Sequence, residues 1–178
     1  TFPSFSIDLK VGLLRNVNLK HIAFRSDSSD FKILSSSLNF PLKKGQELRV
    51  QYHNDSIRLK IGEKSLGHFD TVFFNSRDEN AIFSISSLVP NLKERKYYSN
   101  LKAFVSGNSI TIVNQIGLER YLIGVLESEV GPSQSKDFYK VHAVISRTYA
   151  LKNLNKFIHE GFNLTDLVNC QVYKGKMY

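Results

Sequence analysis

The stretch 121–150, YLIGVLESEVGPSQSKDFYKVHAVISRTYA, holds the residue types whose spacing could do chemistry: two carboxylates, a Gly-Pro break, then cations at helical spacing. Glu127 and Glu129 invite a glycosidase reading, in which an acid and a nucleophile or base stand about 5 to 9 Å apart. Residues i and i+2 of a helix project in different directions, so a helix through both leaves one of them facing a given cleft. The spacing therefore argues against a working pair. Glu129 taken alone reads either as a catalytic group or as an ordinary surface or capping glutamate. Lys140 and Arg147 are seven residues apart, two helical turns, and share a face with the small Ala143 between them, which leaves room for a ligand. The plainer alternative is a solvated basic face. His142 follows Lys140 by two positions and stands either at the cleft edge or as a structural or exposed histidine.

These residues need elements to position them. After Asn114 the apolar residues Leu118, Tyr121, Leu122, Val125 and Leu126 recur at three- and four-residue steps, predicting a helix from Leu118 to about Glu127. Gly131, Pro132 and Ser133 end it. Ser135 is a plausible cap for a second helix, from about Lys136 into the region of Phe157, with an apolar stripe of Phe138, Val141, Val144, Ile145, Thr148 and Leu151 and Gly161 as its terminator. The tail is expected to be irregular, with a short strand around Gln171–Tyr173.

The first hundred residues alternate as strands do. Leu48, Val50 and Tyr52 lead through Asn54 and Asp55 to Ile57, Leu59 and Ile61, a hairpin signature. Leu101, Ala103 and Val105 lead through Gly107 and Asn108 to Ile110 and Ile112, a second one. Shorter apolar runs lie at Leu9–Leu14, His68–Phe74 and Ala81–Ile85, bounded by turn-forming residues. The predicted fold class is α+β: a β-rich N-terminal region, 1–95, with strand hairpins, followed by a helical catalytic region, 96–178. No internal repeat or coiled-coil heptad interrupts it.

Composition narrows the functional classes. With 178 residues, 42% hydrophobic and 12% aromatic, the chain can build a real core, and disordered or collagen-like behaviour is excluded. A net charge of +8 favours a polyanionic partner such as nucleic acid, anionic lipid or an acidic wall polymer. The aromatics sit in apolar alternation and no nucleic-acid recognition motif is present, so nucleic acid is not an expected partner. The single Cys170 allows neither an internal disulfide nor a CxxC zinc site. No run of about 18 apolar residues occurs. The chain starts at Thr1, which is expected of a mature or trimmed chain, and membrane association is expected only through an anchor outside it.

Asn114, Leu118, Glu119, Tyr121, Leu122, Gly124, Val125, Ser128 and Glu129, then Lys140, Ala143, Arg147, Thr148, Tyr149 and Ala150, follow a recognisable order, and Gln171, Val172, Tyr173 and Gly175 extend it. In this order the chain resembles the SpoIID/LytB domain of bacterial cell-wall enzymes over roughly its second half, and the LKVGLL near the N-terminus is a weaker echo. The resemblance implies a lytic transglycosylase. Such an enzyme cleaves the bond between N-acetylmuramic acid and N-acetylglucosamine in peptidoglycan glycan, expected to be peptide-free, leaving 1,6-anhydro ends. It places Glu129 as the lone acid/base, which must then sit dry enough to raise its pKa well above about 4.3. Lys140 and Arg147 are assigned to the lactyl carboxylate or to developing charge, away from Glu129, and His142, Tyr149, Gln171 and Tyr173 to substrate binding. A non-catalytic glycan-binding module that assists a cell-wall amidase is the alternative.

Departures from the family pattern carry expectations of their own. Val130, Gly131 and Pro132 replace a Met-Pro step, and Gln134 stands where a tryptophan is common. Some relatives carry zinc; here Leu164 and Asn169 occupy two ligand positions and His159 is out of register, so no metal or other cofactor is expected and Cys170 is read as a small buried hydrophobe. The region is expected to be incomplete at its C-terminus, and the protein to work outside the cytoplasmic membrane.

Overall fold

The computed structural model describes residues 7–178. Alternation is the rule along its strands because one side of each must be buried: in β1 (Asp8–Leu13) Leu9, Val11 and Leu13 point inward while Lys10 stays out. The strands that follow are β2 (His21–Ser26), β3 (Phe31–Ser35), β4 (Leu38–Leu42), β5 (Glu47–His53), β6 (Ser56–Ile61), β7 (Lys64–Phe69) and β8 (Thr71–Asn75). Then come β9 (Ile82–Val89), β10 (Asn91–Tyr98), β11 (Asn100–Ser106) and β12 (Ser109–Gly117), two helices, α1 (Leu118–Glu129) and α2 (Lys136–Lys152), and β13 (Leu164–Thr165).

They form two sheets, ordered β13-β1-β12-β11-β8-β3-β4 and β10-β9-β2-β5-β6-β7. Phe24 of the second sheet meets Phe74 of the first at 4.5 Å between ring centroids and stands edge-on to Phe31 at 5.2 Å, so the aromatic core is the seam between the sheets. All pairings are antiparallel except β1 with β13. The α+β class, β-rich first and helical after, is what the chain adopts.

Both predicted hairpins are present. Asn54 and Asp55 sit at φ of 47° and 56°, the left-handed pair of a two-residue turn. In the other hairpin Ala103 pairs with Ile112 and Val105 with Ile110. The run His68–Phe74 is not one strand: Asp70 breaks it, and β7 and β8 go to different sheets. The expected strand at Gln171–Tyr173 is absent, and this segment runs instead along the end of α1. The boundary drawn at residue 95 falls within β10, while β1 pairs along its length with β12 and one buried cluster runs from Leu9 to Tyr173.

α1 follows Gly117 and closes on Gly131, whose positive φ of 72° lets its N–H reach the Leu126 carbonyl. Its buried face is Leu118, Tyr121, Leu122, Gly124 and Val125; four of these are periodic positions read from the sequence, Gly124 is an addition, and the fifth expected position, Leu126, is only partly buried. α2 begins as expected, with the Ser135 hydroxyl accepting from the Phe138 N–H at 3.2 Å. It ends at Lys152, short of Phe157, and only Ser146 and Ala150 are buried. The stripe Phe138, Val141, Val144, Ile145 and Leu151 faces outward, the middle three more than half exposed, so the face that binds α2 to α1 is the small-residue one.

Candidate active site

Three consecutive side chains at the end of α1 capture the C-terminal segment by its backbone. Glu127 Oε2 accepts from the Met177 N–H at 2.7 Å, Ser128 Oγ from Lys174 at 2.9 Å, and Glu129 Oε1 from Val172 at 2.9 Å. The Ser128 hydroxyl donates in turn to the Gly124 carbonyl at 2.6 Å. Lys176 meets β10, its N–H bonding the Lys96 carbonyl at 2.8 Å, while the N–H groups of Val172, Lys174 and Met177 are satisfied by these side-chain acceptors.

The same segment is anchored from below by a buried tyrosine cluster. The Tyr173 hydroxyl donates to Asn114 Oδ1 at 2.9 Å, and the Asn114 amide donates to the Tyr98 and Asn100 carbonyls, both at 2.9 Å. The Tyr121 hydroxyl donates to Gln171 Oε1 at 3.3 Å, and the Tyr121 and Tyr173 rings lie 5.1 Å apart. Burial pushes both phenols well above their ordinary range, so they act as permanent donors. Two glycines make the fit possible. A methyl on Gly124 would lie 2.5 Å from Tyr173 Cε2, and one on Gly175, at φ 83°, would overlap the Lys96 carbonyl.

Asp166 closes the frame. Its Oδ2 accepts from the Leu14 N–H at 2.9 Å and faces Arg95 at 3.4 Å, while Oδ1 is buried with no partner among the described residues. Burial raises its carboxyl pKa, against the pull of the Leu14 N–H and Arg95.

The residues expected to form the site are placed as follows. Glu129 is exposed, so the dry pocket it was expected to occupy is not formed in the free chain. Gln171 and Tyr173, expected to bind substrate, are 6% and 1% exposed and spend their polar groups on Tyr121 and Asn114. Arg147 forms a two-pronged pair with Glu119, at 3.2 and 2.5 Å. Ten residues of α1 separate Glu119 from Glu129, about 15 Å, so the Arg147 guanidinium stands apart from Glu129 and is paired with Glu119.

Lys140 pairs with Asp137 at 2.9 Å, and His142 packs against Phe138 at 4.6 Å. The Tyr149 hydroxyl donates to the Asn169 carbonyl at 3.3 Å and receives Lys156 at 3.2 Å. No hydrogen bond or ion pair joins any of these cations or rings to Glu129 among the described residues. A shallow cleft of about 200 Å³ beside the α1–α2 turn is lined by Glu127, Leu126, Tyr139 and Tyr178, so Glu127 rather than Glu129 borders it. No group of three or more histidine, cysteine, aspartate or glutamate side chains that could hold a metal occurs among the described residues. Cys170 is half-buried against the core.

The residues tied together here are those of the ordered motif, and comparison with known proteins agrees. Residues 106–178 match the family model described as SpoIID: Stage II sporulation protein. Over these residues the chain is similar to the SpoIID family. SpoIID is a sporulation- and cell-wall-related family. The chain is 35% identical over 85 residues to an uncharacterized protein of Brachyspira hyodysenteriae, a match covering 46% of this chain and 22% of that one. The match thus spans about a fifth of that relative's length. No solved structure matches the chain.

Ser128, Gly124 and Gly175 are the positions whose roles the sequence did not disclose. A glycine inside a helix costs about 1 kcal/mol relative to alanine, so Gly124 within an otherwise periodic helix was a signal of close packing.

Proposed function

We propose that the SpoIID segment cleaves peptidoglycan glycan as a lytic transglycosylase, with Glu129 as its single acid/base. The observation that carries this reading is the placement of Glu129. Its carboxyl is exposed at the last residue of α1, fixed through one oxygen by the Val172 N–H, and the other oxygen is left for a substrate. Protonated Glu129 donates to the glycosidic oxygen; as carboxylate it then takes the proton from the muramyl C6 hydroxyl, which attacks C1. No water is consumed and the product ends in a 1,6-anhydro sugar. Proton donation requires the protonated carboxyl, which a water-excluded setting favours. A glycan lying over the α1 terminus would supply the missing desolvation. The reading implies peptidoglycan strands as partner, an amidase that strips stem peptides as a companion, and work outside the cytoplasmic membrane. No helix among the described residues is long and apolar enough to cross a membrane.

A second reading is favoured by the exposure of Glu129 and the commitment of Arg147 to Glu119: a glycan-binding module that assists an amidase. The two separate by mass spectrometry of peptide-free and peptide-bearing glycan after incubation with the chain. Anhydro-muramyl ends establish the enzyme; bound but intact glycan establishes the module.

A further inference from the structure

At the opposite end of α1 from Glu129 lies a cavity of about 750 Å³, within the range of small-molecule sites. Four separate stretches build it: the start of β1, the turn after β8, the β10–β11 turn, and the passage from β12 into α1. Its walls carry four amides, Asn75, Asn80, Asn100 and Gln115. Each amide offers donors and an acceptor at once.

The walls are rigid. The Ser76 N–H donates to Asn100 Oδ1 at 2.9 Å, the Asn80 N–H to Asp78 Oδ1 at 2.9 Å, and Ser29 holds Asp78 Oδ2 at 2.8 Å. Arg120 stacks over Tyr98, 5.0 Å from the ring centroid, and bonds Asn80 Oδ1, so its guanidinium is immobilised by cation–π contact and amide together. Ser99, in the β10–β11 turn, holds a φ of 70°, an unusual conformation for serine and common where a binding surface is being shaped.

Charge decides the ligand class. The chain carries +8, yet here Glu119 is already neutralised by Arg147, and Asp8 and Glu79 offset Lys10 and Arg120. A polyanion gains nothing from a balanced site, whereas rows of amides match hydroxyl and acetamido groups. The geometry points to a binding site for a neutral saccharide chain bearing hydroxyl and N-acetyl groups, distinct from Glu129. It rests on the peptidoglycan reading only in the choice of an N-acetylated sugar as probe. The length of α1 sets the two sites about 15 Å apart along one helix, so a single extended glycan could engage both.

The test is an NMR titration of the isotope-labelled full chain with an N-acetylglucosamine tetrasaccharide. Signals of 76–80, Asn100 and 115–120 are expected to move, and Asn75→Ala with Gln115→Ala to weaken binding about tenfold through two lost hydrogen bonds. Asn75→Asp, which keeps the side-chain size and removes the amide donor, shows the same direction if the double variant fails to fold. Val144→Ala, on the outward face of α2, leaves the titration unchanged. The proposal is overturned if no signal moves, if movement is confined to 127–130 and 171–174, if the folded variants bind as the parent does, or if only a charged peptide or polyanion moves the cavity signals. Absence of anhydro ends in a digest would sink the Glu129 reading and leave this titration untouched, so the two failures are separable.

Discussion

Gly124→Ala puts the packing of the C-terminal segment to a quantitative test. Alanine improves intrinsic helix propensity by about 1 kcal/mol, so by local rules alone the variant is the more stable protein. The structure demands the opposite. The new methyl would stand 2.5 Å from Tyr173 Cε2 and 3.0 Å from the Gly175 carbonyl oxygen. Tyr173 is pinned in turn by Asn114, Tyr97 and Tyr121. Relieving the overlap costs about 1–3 kcal/mol of overpacking, and a further 1–3 kcal/mol if the Tyr173 hydroxyl is drawn off Asn114 and leaves a buried acceptor unpaired. After the propensity gain, a net destabilisation of about 1–5 kcal/mol remains with the hydroxyl displaced and up to about 2 kcal/mol without. With a urea m-value of about 2 kcal/mol/M the unfolding midpoint should fall, by roughly 0.5–2.5 M in the first case. The control is Ile123→Ala, at the neighbouring exposed position, expected to stay within about 0.5 kcal/mol of the parent. A Gly124→Ala midpoint equal to or above the parent's would refute the docking of Tyr173 on α1.

Other expectations follow from the same frame. Tyr173→Phe removes one hydroxyl and strands Asn114 Oδ1, and should cost about 1–3 kcal/mol in urea unfolding. Asp166 has a folded pKa raised by burial, so its contribution is fully present below the unfolded value of 3.8 and lost as pH rises through the folded value; the stability of the parent relative to Asp166→Asn should decline over that window, measured by thermal melts across pH. Arg147→Ala should lower stability by no more than about 1 kcal/mol, because its pair with Glu119 is largely exposed, and a larger loss in melting experiments would show that the clamp between helices does more than its exposure allows.

Much of the fold was legible because short-range rules operate where the chain is regular. Asn54-Asp55 and Gly107-Asn108 announced their hairpins, Ser135 its cap, and the three- and four-residue steps from Leu118 to Val125 most of the buried face of α1. Periodicity reported an apolar stripe on α2 but could not say whether a partner covers it, and here Val141, Val144 and Ile145 face outward. His68–Phe74 looked continuous because only sheet assignment, a long-range property, separates β7 from β8. In the candidate site the motif residues are brought together, but their roles sort by burial, which spacing does not encode: Gln171 and Tyr173 became framework, and Arg147 was taken by Glu119, 28 residues away in sequence. The three acceptors of 127–129 were unreadable because their donors are backbone N–H groups of a segment more than forty residues on.

The most direct test of the central claim compares the parent with Glu129→Gln on peptide-free glycan, following binding and release of anhydro-muramyl fragments in the same samples. Glutamine keeps an acceptor for the Val172 N–H and cannot exchange a proton, so the variant should fold and bind as the parent does and release no anhydro fragment. Anhydro fragments released by Glu129→Gln at the parent's rate would contradict it.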